Sequence, residues 1–236
     1  MAKDVTLVPI APEVWIADGE TVDFYGFPYP TRMSIIRLAN GHLFVHSPIG
    51  TDPDLLAQVD ALGEVRYLIS PNKIHHLFMG DWAEIYPKAE LHASPGLPKK
   101  RKDLKFKSTL TDTAPKAWSN EIDQAVLKGS FFMKEVAFFH RGTSTMIVAD
   151  MIERLDGHDW SWWGKILGRL DGLMGPKGGM PREWRASFIN RKQARKDLAR
   201  MIAWDPQRIV IAHGPCVEAD GADYLKMSFR WLLKNA

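Results

Sequence analysis

At 236 residues, with 45% hydrophobic and 25% charged residues, the chain has the length and composition of a globular protein that can bury a full core. Its formal charge of +3 and pI near 8.9 are mildly basic, and the two basic runs, "PKKRKDLKFK" (98–107) and "NRKQARKDLAR" (190–200), read as solvated faces, so nucleic acid is not an expected partner. The single cysteine, Cys216, excludes an internal disulfide framework and fits a reducing compartment.

In chain order, "MAKDVTLVPIAPEVW" holds no apolar run of secretory length, and no stretch approaches the ~18 apolar residues of a membrane span. A cytoplasmic location without integral membrane segments is therefore expected. Residues 13–19 alternate apolar and polar types before a glycine, as a strand does. Residues 31–48 are two β-rich runs around Asn40-Gly41, a strong hairpin signal. An acidic start and a closing glycine bracket a helix over 52–63. A buried strand over 65–70, a helix over 75–87 and a strand over 89–96 follow. Two strands are expected in 135–150 around Arg141-Gly142-Thr143, then a helix over 190–204, a buried strand over 208–214 and a closing helix over 222–233. Two β-rich segments, each followed by alternating strands and helices, predict two packed sheets with helices outside, in one domain spanning 1–236.

The segment 151–189 interrupts this order and is rich in Trp, Gly and Met. Within it, "WSWWGKILGRLDGLMG" (160–175) interleaves Trp and Lys/Arg with Leu and Ile, which suits a membrane surface, a lid over an apolar pocket, or contact with a second copy. The lid is the preferred reading, with a homo-oligomer through the insertion as another expectation. His158 and Asp159 lie at the start of the run 160–175, within reach of the site.

Polar residues recur where apolar runs end: His75-His76 after "VRYLIS", Asp150 after "TMIVA" and His213 after "RIVIA". Rigid strands aim such residues at a common point. Imidazoles and one carboxylate suit zinc, with iron and manganese as alternatives, so His75, His76, Asp150 and His213 are candidate ligands of one divalent ion. His46, His92 and His140 are read as packing or strand-end surface residues, and Cys216 as an inert buried thiol.

The series "SPNKIHH", "TSTMIVAD" and "IVIAHGP" resembles the metallo-β-lactamase fold superfamily over most of the chain. With "SIIRLANGHLFVHSPIG" it is closest to a divergent branch catalogued as a domain of unknown function. The resemblance implies a four-layer αββα sandwich. It also implies a motif His-x-His-x-Asp-His, a third His, a bridging Asp and a last His, which together hold two metals. Here Pro71 and Lys73 stand at the first two histidine positions, and no histidine lies in 127–134. One metal site is therefore expected to be lost and the other kept. Lys73, at a former ligand position, is expected to stand in for the missing charge and to stabilise an oxyanion, while Asp150 ligates the ion and orients water. The expected function is a metal-dependent hydrolase acting on a small-molecule ester, lactone or phosphoester. The alternatives are a non-catalytic ligand-binding or partner-binding descendant and a mononuclear iron redox protein.

Overall fold

Successive side chains along a strand point to opposite faces, and this period of two assigns each residue to a layer. The computed structural model describes residues 5–158, 160–174 and 178–233. One sheet holds β1 (Val8–Ala11), β2 (Val14–Phe24), β3 (Phe27–Arg37), β4 (His42–His46), β5 (Glu64–Ser70), β6 (Glu90–Ala93) and β7 (Ser108–Thr109), side by side in chain order. The other holds β8 (Ile122–Leu127), β9 (Glu135–His140), β10 (Thr145–Val148) and β11 (Arg208–Ile211), in the spatial order β11-β10-β9-β8. The helices are α1 (Pro53–Leu62), α2 (Met79–Ile85), α3 (Leu97–Lys100), α4 (Trp162–Asp171), α5 (Arg182–Ala186), α6 (Arg191–Ala203), α7 (Gly221–Ser228) and α8 (Arg230–Leu233).

Ile36, Phe44 and Ile69 of the first sheet face Phe138, Ile147 and Val210 of the second, around the enclosed ring of Trp118. Their chain neighbours Ile35, Val45 and Leu68 point the other way, onto Leu55 and Val59 of α1 and Met79 and Trp82 of α2. On the far side Phe139, Met146, Val148, Ile209 and Ile211 meet Ala194, Leu198 and Met201 of α6 and Leu225 of α7. Alternation along a few strands thus produces helix, sheet, sheet and helix, the αββα sandwich.

The Asn40-Gly41 turn joins β3 and β4 in antiparallel register, and Asp52 caps α1 by accepting from Leu55 N at 2.9 Å. Three expectations are corrected. The helix anticipated from residue 75 begins at Met79, because Asn72 Oδ1 accepts from the amides of Ile74 and His75 at 2.8 and 3.1 Å and bends the chain into a turn instead. The closing helix is broken at Phe229 into α7 and α8. His92 and His140 are buried, not surface residues: His92 meets Trp118 edge-on at 4.8 Å and His140 bonds Thr143 Oγ1 at 2.9 Å.

Among the described residues, no helix is long and apolar enough to cross a membrane.

Candidate metal centre

Register brings two of the expected residues together before any side chain is considered. β10 and β11 run parallel with Val148 opposite Ile211, so Asp150 and His213, each two residues further on, leave the same sheet edge side by side. The third contributor comes from the other sheet. After β5 the chain turns at Ser70-Pro71-Asn72, the Pro71 carbonyl accepts from Val136 N at 2.9 Å, and the turn is thereby tied to β9. Asn72 then directs His75 back toward the edge.

His75 Nε2 lies 2.9 Å from Asp150 Oδ1, His213 Nε2 lies 3.0 Å from the same oxygen, and the two imidazole nitrogens are 3.1 Å apart. His213 Nδ1 donates to the carbonyl of Pro30 at 2.7 Å, so a neutral His213 presents a bare Nε2 to the carboxylate. Ser47 Oγ lies 2.6 Å from His75 Nδ1 and fixes the second ring. Lone pairs aimed at one another at these separations repel unless a cation stands among them, either an extra proton or a metal ion. His75, Asp150 and His213 therefore form a cluster that can hold a metal ion.

Electrostatics agree. Burial alone would push the His75 pKa down, but the charge and hydrogen bond of Asp150, joined by the Glu135 charge, together reverse this and raise it. Burial would likewise raise Asp150, yet the charge of His75 and the hydrogen bonds of both imidazoles hold it well below the usual carboxylate range.

Of the other expected residues, His76 is turned away from the cluster. Arg101 Nη1 donates to its Nδ1 at 3.0 Å, and burial with the nearby Lys100 and Arg101 charges lowers its pKa to about 4. The ammonium of Lys73 is bonded to the carbonyl of Phe132 and sits 4.4 Å from the centre of that ring. The group on the second oxygen of Asp150 is Asn72, whose Nδ2 donates to Oδ2 at 2.7 Å and to Glu135 Oε2 at 2.9 Å. A neutral amide thus takes the second carboxylate oxygen of Asp150.

Glu135 is the residue that motif reading missed. Fully buried at the start of β9, it accepts from the amides of Ala149, Asp150 and Met151 at 2.8, 2.8 and 3.3 Å and so clamps the loop carrying Asp150. Arg32 does the same for His213: its Nη1 donates to the carbonyls of Ile211 (2.6 Å) and Gly214, and lies 3.4 Å from the half-buried Cys216 Sγ. One signal for Glu135 was readable, a lone acidic residue opening an otherwise apolar strand.

Gly214 has φ of +118°, and a Cβ there would meet the Arg154 carbonyl oxygen at 1.9 Å. Gly214→Ala is expected to shift the His213 turn and cost about 1–3 kcal/mol, read as a lowered midpoint in thermal unfolding. An unchanged midpoint would show that the turn has room to move.

The cluster lies in the floor of a cleft of about 920 Å³ whose lining includes Phe24, Tyr25, Phe78, Phe132 and Trp184, with Lys73 and Lys100 also in the wall. Glu153 shares this lining: its Oε2 is buried without a hydrogen-bond partner, and burial with the Asp150 and Glu183 charges raises its pKa well above the ordinary value. His46 lies buried beside His75, its pKa lowered to about 3 by burial and by that neighbour. The insertion contributes Glu153, Pro181, Glu183 and Trp184 to the cleft, while none of the residues of α4 lines it. His158 is exposed outside the cleft, and Asp159 lies outside the described residues.

Two sheets with a polar cluster at one shared edge define a metallo-β-lactamase fold. The chain superposes on the DIM-1 metallo-β-lactamase with a TM-score of 0.67, covering 100% of both chains at 14% identity. For FIM-1 from Pseudomonas aeruginosa, in its mono-zinc form, the TM-score is 0.65 at 13% identity over 99% of this chain and 97% of that one. For the metal-soaked flavodiiron core of Flv1 from Synechocystis sp. PCC6803 it is 0.66 at 13% identity, over 99% of this chain and 62% of that one. Such identities establish the fold alone. No curated protein matches the sequence. Residues 12–159 match the family described as a domain of unknown function, DUF4336, and the chain belongs to that family, a divergent branch of the metallo-β-lactamase fold.

Proposed function

We propose that this protein is a hydrolase working with one divalent ion held by His75, Asp150 and His213. The convergence of two Nε2 atoms and one carboxylate oxygen in the floor of a large cleft carries this reading. When bound, the ion supplies the Lewis acidity that makes water a nucleophile near neutral pH. Zinc suits this donor set best, and iron or manganese also suit it. Three protein ligands are the number typical of catalytic zinc sites, in contrast to the four of structural ones.

The chain's own residues do the positioning. Pro30 and Ser47 orient the two imidazoles, and Asn72 holds one oxygen of Asp150 so that the other is presented to the site. The aromatic walls seat an apolar portion of an ester, lactone or phosphoester. Lys73 and Lys100 supply positive charge to an anionic portion. In this reading Lys73 must leave the Phe132 carbonyl to reach substrate. The reducing cytoplasm is the compartment that the lone cysteine suits.

Elemental analysis of protein purified without chelator tests this. About one equivalent of metal per chain is expected, lost in the His75→Ala/His213→Ala double variant and kept in His76→Ala, whose side chain faces Arg101. Iron in place of zinc would shift the reading toward redox chemistry. No metal after loading with any of the three ions would sink it.

A further inference from the structure

Helix α4 is built inside out. Its buried residues are Gly164 and Gly168, and a Cβ on Gly168 would meet Met174 Cε at 2.8 Å and Trp160 at 3.0 Å. Toward solvent it turns Trp162, Trp163, Ile166, Leu167 and Leu170, exposed by 76, 47, 46, 48 and 61%. At about 100° per residue these five side chains fall in one arc of roughly 140°. Lys165 and Arg169, one turn apart, lie along one border of that arc. The apolar surface runs on toward the cleft: Trp163 meets Phe27 edge-on at 5.6 Å, and Phe27 follows the hairpin tip whose Phe24 and Tyr25 line the cleft mouth. Tyr25 is 88% exposed.

We propose that α4 and the β2–β3 tip seat the protein on an anionic lipid bilayer, with the cleft mouth beside the headgroups. Paired tryptophans suit the headgroup level, where the ring is apolar and the N–H finds a partner. Lys165 and Arg169 can lay their stems along the apolar face while their cations reach lipid phosphates. A second copy fits less well. The ten-residue helix offers five apolar side chains, against the ~20–30 residues that each partner gives to a stable interface. Since no described helix can cross a membrane, the contact is peripheral.

The test is cosedimentation of the full chain with vesicles of equal parts phosphatidylglycerol and phosphatidylcholine, and with phosphatidylcholine alone. The wild type is expected to partition onto the anionic vesicles and far less onto the zwitterionic ones. Trp162→Ser/Leu170→Ser and, separately, Lys165→Glu/Arg169→Glu are each expected to weaken partitioning by about tenfold or more. Thermal midpoints should stay close to the wild type, because Trp162, Arg169 and Leu170 are exposed and Lys165 is only half-buried. The charge pair keeps the test decisive if the apolar pair disturbs folding. Absence of partitioning overturns the proposal, as does partitioning that neither variant weakens. So does a dimer in sedimentation velocity that Trp162→Ser/Leu170→Ser dissociates, since the face would then be a contact between copies.

Discussion

Asp150→Asn is expected to lower divalent-metal affinity by more than about 100-fold while leaving the protein folded. The reason lies in the orientation that Asn72 imposes. Its Nδ2 donates to Asp150 Oδ2, so the carbonyl oxygen of an asparagine at 150 would take that bond. The new NH2 group would then face His75 Nε2 and His213 Nε2, where Oδ1 now lies 2.9 and 3.0 Å away. An acceptor among acceptors becomes a donor, and the imidazole lone pairs are satisfied without a cation. Loss of a group that merely orients a ligand costs about 10–100-fold, so turning a ligand into a donor should cost more. Competition against a chromophoric chelator reads this directly, and near-wild-type affinity in the variant would remove Asp150 from the ligand set.

The same experiment on the wild type should depend on pH. The net effect on His75, where burial is outweighed by the Asp150 charge and hydrogen bond together with the Glu135 charge, is a raised pKa, so its proton competes with metal over a wider range than an ordinary histidine's. Affinity should therefore fall as pH drops from about 8 to about 6, by up to about tenfold per unit for each proton displaced. For metal-free protein the sign reverses: stability from the protonated His75 is complete below about pH 6.5 and is lost as pH rises through the raised folded value. A metal affinity that does not change with pH would place the ion elsewhere.

Replacing Glu135 should have the largest effect on stability. In Glu135→Leu the amides of Ala149, Asp150 and Met151 and the Asn72 side chain lose their acceptor in a fully buried site. At about 1–3 kcal/mol for each buried donor left unpaired, the loss reaches about 4 kcal/mol or more, a large part of a domain's stability. Glu135→Gln keeps one acceptor oxygen but sets an NH2 group against backbone N–H donors, and should cost about 2 kcal/mol. Burial, reinforced by the Asp150 charge, raises the Glu135 pKa to about 7. Stability tied to this proton is complete below about 4.5, the ordinary value, and is lost as pH rises through about 7. The glutamine variant should accordingly show a flatter stability profile over that window in denaturant titrations. Identical profiles for the two proteins would mean that Glu135 does not titrate there.

Much of this architecture was legible because it is local. Asn40-Gly41 marks a hairpin, Asp52 caps a helix, and "TMIVAD" and "RIVIAH" each place a polar residue two positions beyond a buried strand. Hydrophobic period alone separates the layers, since Ile35 and Ile36 or Phe138 and Phe139 must face opposite ways. β8 (Ile122–Leu127) was not anticipated, although Ser119-Asn120 marks a turn just before it, because its own run mixes Asp123 and Gln124 among the apolar residues.

The choice between two adjacent histidines was not local. Which of His75 and His76 faces Asp150 depends on how the Asn72 turn is pinned, and its partner Glu135 lies 63 residues away in the chain. The Arg32 clamp on the His213 turn spans 179 residues, and the burial of His92 against Trp118 depends on how the two sheets stack. Periodicity and capping act over a few residues and so are written in the sequence itself. Hydrogen bonds that aim a side chain across a sheet edge depend on strand register and sheet separation, which exist only once the chain has folded.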